Sequence, residues 1–260
     1  MALDIWYQPK VDLKRKCLAG AEAHARIADP QAQSAAPEDA IAAADKVTAQ
    51  IIESALVTIL QDWTTFAGAG FNLHLAMNVP ARILSTLPVA EIVKRHRPAN
   101  EAWPGLILEV REDQIVRDVA AVKKIAAGLR AAGVSIAIDD FGAGYSALSI
   151  LRDLPFSELK LGGAFVQDCA TDATNAAICQ TAIDLAHRFN GMAVAEGIAS
   201  MADLQALVVM GCNFGQGPLL GPPMARDQFL ELLRLRDNIQ RRREPATPVQ
   251  PAEIATGRVA

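Results

Sequence analysis

The sequence predicts one α/β domain, a TIM-like (β/α)8 barrel with an irregular pair of strands at its N-terminus. Apolar runs of strand length alternate with longer stretches in which apolar residues recur at helical spacing, and the strand-like runs number close to eight. No G-x-G-x-x-G motif follows the first run, which favours a closed barrel over an open doubly wound sheet. A length of 260 residues fits one such barrel.

Composition and charge argue against several classes of protein. The chain is 51% apolar, enough for a large core, yet lacks the roughly 18–20 consecutive apolar residues of a membrane helix. The N-terminus does not have the pattern of a secretory signal. A net charge of −4 without a basic stripe argues against binding of DNA or RNA polymers. The four cysteines form no C-x-x-C pair, so we expect reduced thiols in a cytoplasmic protein and no zinc site.

The N-terminal third predicts two strands and one long helix. Residues 5–13 and 17–27 are strand-like and are joined by a polar turn. Pro9 predicts that the first strand is an edge or irregular strand, because proline cannot donate to a ladder. After a polar loop, Pro37 predicts the start of an amphipathic helix that continues to about Phe66.

The middle of the chain repeats the order strand, loop, helix. Residues 71–79, 106–110, 135–140 and 158–162 are predicted strands. A helix is predicted after the second of these, with apolar residues from Ile115 to Leu129 on one side, and Gly133 is expected to end it.

The C-terminal third predicts a helix over residues 172–189, a strand over 192–198, a short helix to Met210, a strand-like run over 213–220 and a helix over 227–240. The last segment is rich in Pro and Ala and has no apolar period, which is typical of disorder. We therefore expect a barrel domain over residues 1–240 and a disordered tail over residues 241–260.

Two adjacent carboxylates, Asp139 and Asp140, end the strand over residues 135–140. A solvated junction between strand and loop explains them weakly, whereas a divalent metal ion would require negative charge at this place. Other polar residues also lie at predicted strand ends, and in a parallel barrel these ends meet on one face. Five carboxylates brought together there would repel unless cations were bound, and oxygen ligands suit Mg²⁺ or Mn²⁺. The strand-end residues are Glu22, Asn78, Glu109, Asp139, Asp140, Lys160, Glu196 and Gln216.

Over about residues 5–224 the chain resembles the EAL-type cyclic-di-GMP phosphodiesterase domains. The resemblance is carried, in this order, by YQPKVDL, GAEAHAR, LAMNVPARIL, LILEVRE, IAIDDFGAGYSALSILRDLPFSELKL, VAEGIAS and GCNFGQGPLLGPPM. It implies a barrel enzyme that opens cyclic di-GMP to linear pGpG by two-metal-assisted attack of water, with Mg²⁺ or Mn²⁺ as cofactor. It also implies a possible homodimer, formed through the elements beside the DDFG segment.

The resemblance implies a role for each matching residue. Ligands of one divalent metal are matched by Glu22, Asn78, Glu109 and Asp139, and a ligand of a second metal is matched by Asp140. Residues that position water and charge are matched by Glu196 and Lys160, and the glutamine of the last strand is matched by Gln216. Residues that touch the dinucleotide are matched by Gln8 and Arg26, and a glutamate that steadies the DDFG loop is matched by Glu112.

Four positions depart from the family pattern. His24 and Arg111 stand where leucine and threonine are usual, and Gly162 and Ala199 stand where acids are usual. Loss of supporting carboxylates weakens metal sites by roughly 10- to 100-fold. Two further hypotheses therefore stand beside the phosphodiesterase: a receptor that binds cyclic di-GMP without hydrolysing it, and a structural barrel that binds no nucleotide.

Overall fold

The computed structural model describes residues 3–27, 37–117, 119–142 and 148–243. Seven consecutive strands, β2 to β8, lie side by side in chain order and run parallel, and β1 lies antiparallel between β8 and β2, which closes an eight-stranded barrel. A ninth strand pairs with the outer part of β1. The strands are β1 Leu3–Asp12, β2 Cys17–Ile27, β3 His74–Asn78, β4 Leu106–Arg111, β5 Val134–Phe141, β6 Glu158–Leu161, β7 Met192–Ala195, β8 Phe214–Gly215 and β9 Met224–Ala225.

The predicted fold class is confirmed, with helices between the parallel strands. The helix predicted through residues 115–129 is helical over both described stretches, Glu112–Arg117 and Val119–Arg130, which lie on either side of residue 118, itself outside the described residues. Gly133 follows with a φ of +78°, a backbone conformation that suits glycine. The helices are α1 Pro37–Gly68, α2 Ala81–Leu84, α3 Val89–His96, α4 Glu112–Arg117, α5 Val119–Arg130, α6 Leu148–Asp153, α7 Gly163–Val166, α8 Ala173–Arg188, α9 Met201–Val209 and α10 Arg226–Arg243.

The first strand corrects one prediction. Pro9 does not place β1 at an edge, because β1 pairs with β2 along its whole length and also pairs on its other side. On that side it pairs with β9 at Trp6–Tyr7 and with β8 at Val11–Asp12, so the proline lies between the two pairings. The predicted irregularity is present as a register shift between Lys10 and Val11.

The last two barrel strands are shorter than predicted. The strand expected over residues 192–198 ends at Ala195, and the run over 213–220 contributes only Phe214–Gly215. Glycines in left-handed or otherwise positive-φ conformations, Gly197 and Gly217, turn the chain away from the sheet after each strand. The predicted tail begins at residue 241, and the part of it beyond Arg243 lies outside the described residues. None of the helices in the described ranges has the length and apolar content to cross a membrane.

Most of the core lies between the barrel and its helices, whereas the barrel interior is largely polar. Among the described residues, three apolar side chains, Ala76, Ile107 and Ala137, form a separate buried cluster. They lie on three neighbouring strands, each two residues before a polar inward side chain, as strand alternation requires. The inward side chains at these strand ends are therefore polar groups and not part of an apolar core.

A buried ion pair lies at the amino-terminal end of the barrel. The ammonium of Lys10 bonds both carboxylate oxygens of Glu158, at 2.6 and 2.7 Å, and both side chains are almost fully buried. Gly20, which pairs with Lys10 across the β1–β2 ladder, leaves room for the close approach. A Cβ atom at Gly20 would lie 2.3 Å from the carbonyl oxygen of His74.

A second buried polar contact fixes α1 and α10 to the outside of β1. The hydroxyl of Tyr7 donates to Asp62 Oδ2 at 2.6 Å, and Arg226 reaches Asp62 Oδ1 at 3.4 Å. The ring of Tyr7 packs against the rings of Phe66 and Phe229. Burial, reinforced by the charge of Asp62, raises the pKa of Tyr7 above its ordinary value, so the tyrosine stays a neutral donor.

Candidate active site

Seven of the strand-end residues meet at the carboxyl-terminal mouth of the barrel. The strands place them by register, since Asn78 lies opposite Glu109 and Arg111 lies opposite Asp139 in the parallel pairs. Glu196 and Gln216 directly follow the last residues of β7 and β8. The side chains brought together in this way are Glu22, Asn78, Glu109, Asp139, Lys160, Glu196 and Gln216.

The ammonium of Lys160 lies at the centre of this cluster. Its Nζ is 2.6 Å from Glu196 Oε1, 3.1 Å from Glu22 Oε2 and 3.7 Å from Asp139 Oδ1. It also bonds Glu109 Oε2. Burial alone would lower the pKa of Lys160, yet the surrounding carboxylates raise it well above its usual value. The lysine is therefore a fixed positive charge at the barrel mouth.

Two amide side chains orient the carboxylates. Asn78 Nδ2 donates to Glu22 Oε1 at 2.6 Å, and Gln216 Nε2 donates to Glu22 Oε2 at 2.6 Å and to Glu196 Oε1 at 2.9 Å. Burial disfavours the charge of Glu22, but the nearby Lys160, His24 and the bond from Gln216 lower its pKa to about 2. Glu22 is thus held as a carboxylate.

The other two glutamates have raised pKa values. Burial raises the pKa of Glu109 well above its ordinary range, although Lys160 opposes the shift. Burial likewise raises the pKa of Glu196 to about 7, against the attraction of Lys160. One ammonium cannot fully compensate several desolvated carboxylates, so the cluster retains an affinity for protons or for a further cation.

Two buried oxygen atoms in the cluster have no hydrogen-bond partner among the described residues. They are Glu109 Oε1 and Gln216 Oε1. A buried acceptor without a donor is costly, and a hard cation would satisfy it. The oxygen-rich donor set fits Mg²⁺ or Mn²⁺. In the present arrangement no three His, Cys, Asp or Glu side chains of the described ranges converge on one metal position, because the carboxylates turn towards Lys160.

The model of one protein family, the EAL domain, matches residues 2–223. The chain belongs to the EAL domain family.

Known relatives agree with this assignment. The chain is 33% identical over 238 residues to the cyclic di-GMP phosphodiesterase PA2567 of Pseudomonas aeruginosa. It is 35% identical over 232 residues to the bifunctional diguanylate cyclase/cyclic di-GMP phosphodiesterase MucR of the same organism. Each match covers 88% of this chain but only 39% and 34% of the two relatives. The chain therefore spans a little over a third of the relatives' length.

Solved EAL structures have the same fold. The phosphodiesterase of PaMucR in complex with c-di-GMP aligns with a TM-score of 0.74 at 34% identity, over 87% of this chain and 94% of that chain. The EAL domain of Mycobacterium smegmatis DcpA aligns with a TM-score of 0.72 at 27% identity, over 90% and 97%.

Asp140 lies apart from the cluster around Lys160. It has a φ of +55°, a left-handed conformation, and its amide donates to the carboxylate of Asp139 at 2.9 Å. Its own carboxylate lies 3.5 Å from Arg111, one of the residues that depart from the EAL pattern. A Cβ atom at Gly162 would lie 2.5 Å from Asp140 Oδ1, so Asp140 occupies the space that a side chain at position 162 would need.

Glu112 lies beneath the turn that carries the aspartate pair. Its side chain is buried, and its Oε2 accepts a hydrogen bond from the amide of Gly142 at 3.0 Å. This contact is compatible with the predicted support of the DDFG loop, of which residues 143–147 lie outside the described ranges.

The predicted substrate-binding residues lie at the rim and contact other groups. Gln8 donates to the carbonyl of Gly221 at 3.3 Å. The guanidinium of Arg26 lies 3.9 Å from the ring centroid of Trp6, which is the distance of a cation–π contact. Sequence reasoning missed Trp6, although strand alternation places it on the same face of β1 as Gln8.

Proposed function

We propose that the chain hydrolyses cyclic di-GMP to linear pGpG. The observation that carries this proposal is the cluster around Lys160, in which acids and amides at the ends of six strands surround one buried ammonium at the barrel mouth. Packing alone does not explain so much buried charge, whereas hydrolysis of an anionic diester requires it.

The relatives support the choice of substrate. PA2567 and MucR carry the words cyclic di-GMP phosphodiesterase in their names, and a MucR phosphodiesterase is known in complex with c-di-GMP. The chain spans only part of those proteins, so we propose the same activity for it on the basis of its own residues.

The oxygen ligands for a divalent cation would come from the four predicted positions, Glu22, Asn78, Glu109 and Asp139, and Asp140 would help to hold a second. The unpartnered oxygen of Glu109 supports this assignment, as does the excess of acid over base around Lys160. When bound, Mg²⁺ or Mn²⁺ supplies Lewis acidity that lowers the pKa of a water molecule and offsets charge on phosphate oxygens. Binding requires the carboxylates to rotate away from the ammonium.

Three other side chains would act on the proton of the attacking water and on the negative charge of the phosphoryl group. Glu196, with a pKa near 7, can take a proton from water at neutral pH and keep it during attack on phosphorus. Lys160 would offset the negative charge that grows on the phosphoryl oxygens. Gln216 would hold Glu22 and Glu196 in register through its two hydrogen bonds.

The rim would bind the dinucleotide itself. The side chain of Arg26 is exposed and stacked on Trp6, so its fork of donors is available to a phosphate. Gln8 lies on the neighbouring strand, two residues beyond Trp6. The homodimer through the elements beside the DDFG segment stays a prediction.

A second candidate function is binding of cyclic di-GMP without hydrolysis. It is favoured by the present orientation of the carboxylates, which are already neutralised in part by Lys160. The absence of acids at Gly162 and Ala199 would weaken metal binding in the same direction.

Incubation with cyclic di-GMP and Mg²⁺ or Mn²⁺ separates the two functions. We expect chromatography to show formation of pGpG by the parent protein. No pGpG should form in the presence of EDTA or with the Glu22→Ala variant. Glu231→Ala, which removes an exposed glutamate on α10, is the matched control and should keep full activity. Binding without turnover would favour the receptor, and no binding at all would reject both functions.

A further inference from the structure

A cavity of about 530 Å³, lined by both polar and apolar residues, opens at the amino-terminal ends of β5 and β6, where the barrel strands begin. We call it the basal pocket; its lining includes Arg130 at the end of α5, Arg152 in α6 and Arg188 at the end of α8. The candidate active site lies at the other end of β5, about 13 Å along the strand from Ser135 to Asp139. The two sites are therefore separate.

The basal pocket carries a surplus of positive charge. Its lining holds three arginines but one carboxylate, Asp153, and among the described residues Asp153 bonds Arg152, through two bonds of 3.0 Å. Within the described ranges, no carboxylate or hydrogen-bond acceptor engages the guanidinium of Arg130 or Arg188. Bonds from Arg152, helped by the charge of Lys123, lower the pKa of Asp153, so its charge offsets that of Arg152.

This positive surplus is local, because the whole chain carries a net charge of −4. A concave surface lined by one sign of charge concentrates ions of the opposite sign. Guanidinium groups bind phosphate oxygens through paired N–H donors, and two unengaged forks at one cavity suit a phosphorylated ligand better than a lone carboxylate.

Another part of the lining is aromatic and fixed in place. Phe156 and Phe189 are half-buried in the lining. The Phe156 ring lies directly over Gly191, where a Cβ atom would come within 2.3 Å of it. A ring held in this way offers a flat apolar surface to a base. The Ser157 hydroxyl, 3.0 Å from that of Ser135, forms a polar part of the lining.

We propose that the basal pocket binds a nucleoside phosphate, with Arg130 and Arg188 on the phosphate and the phenylalanine rings against the base. The cavity volume falls within the range of small-molecule sites, roughly 300–1,000 Å³. This site is independent of the proposed hydrolysis, since none of its residues belongs to the cluster around Lys160.

Isothermal titration of the whole chain with GDP, in EDTA, tests the proposal. We expect one GDP per chain, with affinity that falls as salt rises. Guanosine should not bind, and pyrophosphate should bind more weakly than GDP because it lacks the base. The double variant Arg130→Gln/Arg188→Gln should weaken GDP binding about tenfold or more, as expected for losing two charge-assisted contacts. The double variant Arg95→Gln/Arg234→Gln removes the same charge from exposed positions elsewhere and should change it less than twofold.

Three results would overturn the proposal. One is the absence of binding tighter than about 1 mM, which corresponds to roughly −4 kcal/mol. Another is an equal loss in the two double variants, which would indicate general electrostatic attraction. The third is loss of GDP binding in Glu22→Ala, which would place the ligand at the barrel mouth. Urea unfolding of each variant separates a lost site from a lost fold, and Arg188→Gln alone serves if the double variant is unstable.

Discussion

Replacement of Lys10 by methionine tests whether its ion pair stabilises the buried carboxylate of Glu158 inside the barrel. The two residues have similar length, so the change removes the ammonium and leaves the packing nearly intact. Glu158, whose two oxygens both bond Lys10 in the present structure, would remain buried without a partner. A buried carboxylate must then either protonate or draw water into the barrel.

The expected cost follows from the burial of both partners. Removing one member of a buried, hydrogen-bonded ion pair typically costs about 3–5 kcal/mol. For a domain of this size each kcal/mol lowers the melting temperature by about 2–4 °C, so Lys10→Met should melt roughly 6–20 °C lower. The double variant Lys10→Met/Glu158→Leu removes both charges and should recover most of this loss, since apolar replacements of buried pairs are often neutral.

Urea unfolding followed by circular dichroism measures the effect. Lys94→Met is the matched control, because Lys94 pairs with Glu91 at 2.9 Å on the exposed surface of α3. An exposed pair of this kind contributes about 0.3–0.5 kcal/mol. If Lys10→Met is no less stable than Lys94→Met, or if the double variant is worse than the single one, the reasoning is refuted.

Three further predictions concern other buried groups. Asp62→Ala should cost about 1–3 kcal/mol in urea unfolding, since it leaves the buried hydroxyl of Tyr7 without its acceptor, and an unchanged midpoint would contradict this. The folded-state pKa of Glu196, about 7, lies above its ordinary 4.5, so this group makes the metal-free protein less stable as pH rises through that interval. Glu196→Gln should flatten this decline, and a profile that matches the parent's would show that another group is responsible. Gly162→Asp makes the carboxylate of Asp140 move aside and adds a second one beside it, so it should raise the affinity for Mn²⁺ in calorimetry, whereas an unchanged or lower affinity would show that the added carboxylate does not reach the metal.

The fold and the cluster could be predicted because both follow from short-range patterns. Strand alternation and the position of polar residues at strand ends bring Glu22, Glu109 and Lys160 to one face once the strands are parallel. The individual contacts could not be derived in this way. That Lys160 would lie between four carboxylates depends on rotamers and on strand register across the barrel, which no local pattern encodes.

The errors have the same origin. Pro9 indicated an edge or irregular strand, and the edge position is wrong because the barrel closes through pairing of β1 with strands that lie far away in sequence. Two contacts that were not predicted, the stacking of Arg26 on Trp6 and the approach of Arg111 to Asp140, also join distant or turn-coupled residues. Local propensity predicts which residues form strands, whereas tertiary pairing decides their neighbours.

A single-turnover experiment tests the proposed hydrolysis most directly. Protein in excess over cyclic di-GMP is mixed with Mn²⁺, and the nucleotide is sampled over time by chromatography, so that even slow hydrolysis is detected. We predict conversion of all bound cyclic di-GMP to pGpG, with no conversion in EDTA or in Glu22→Ala. Cyclic di-GMP that is bound in stoichiometric amount and recovered intact would contradict the proposed hydrolysis and leave the chain a receptor.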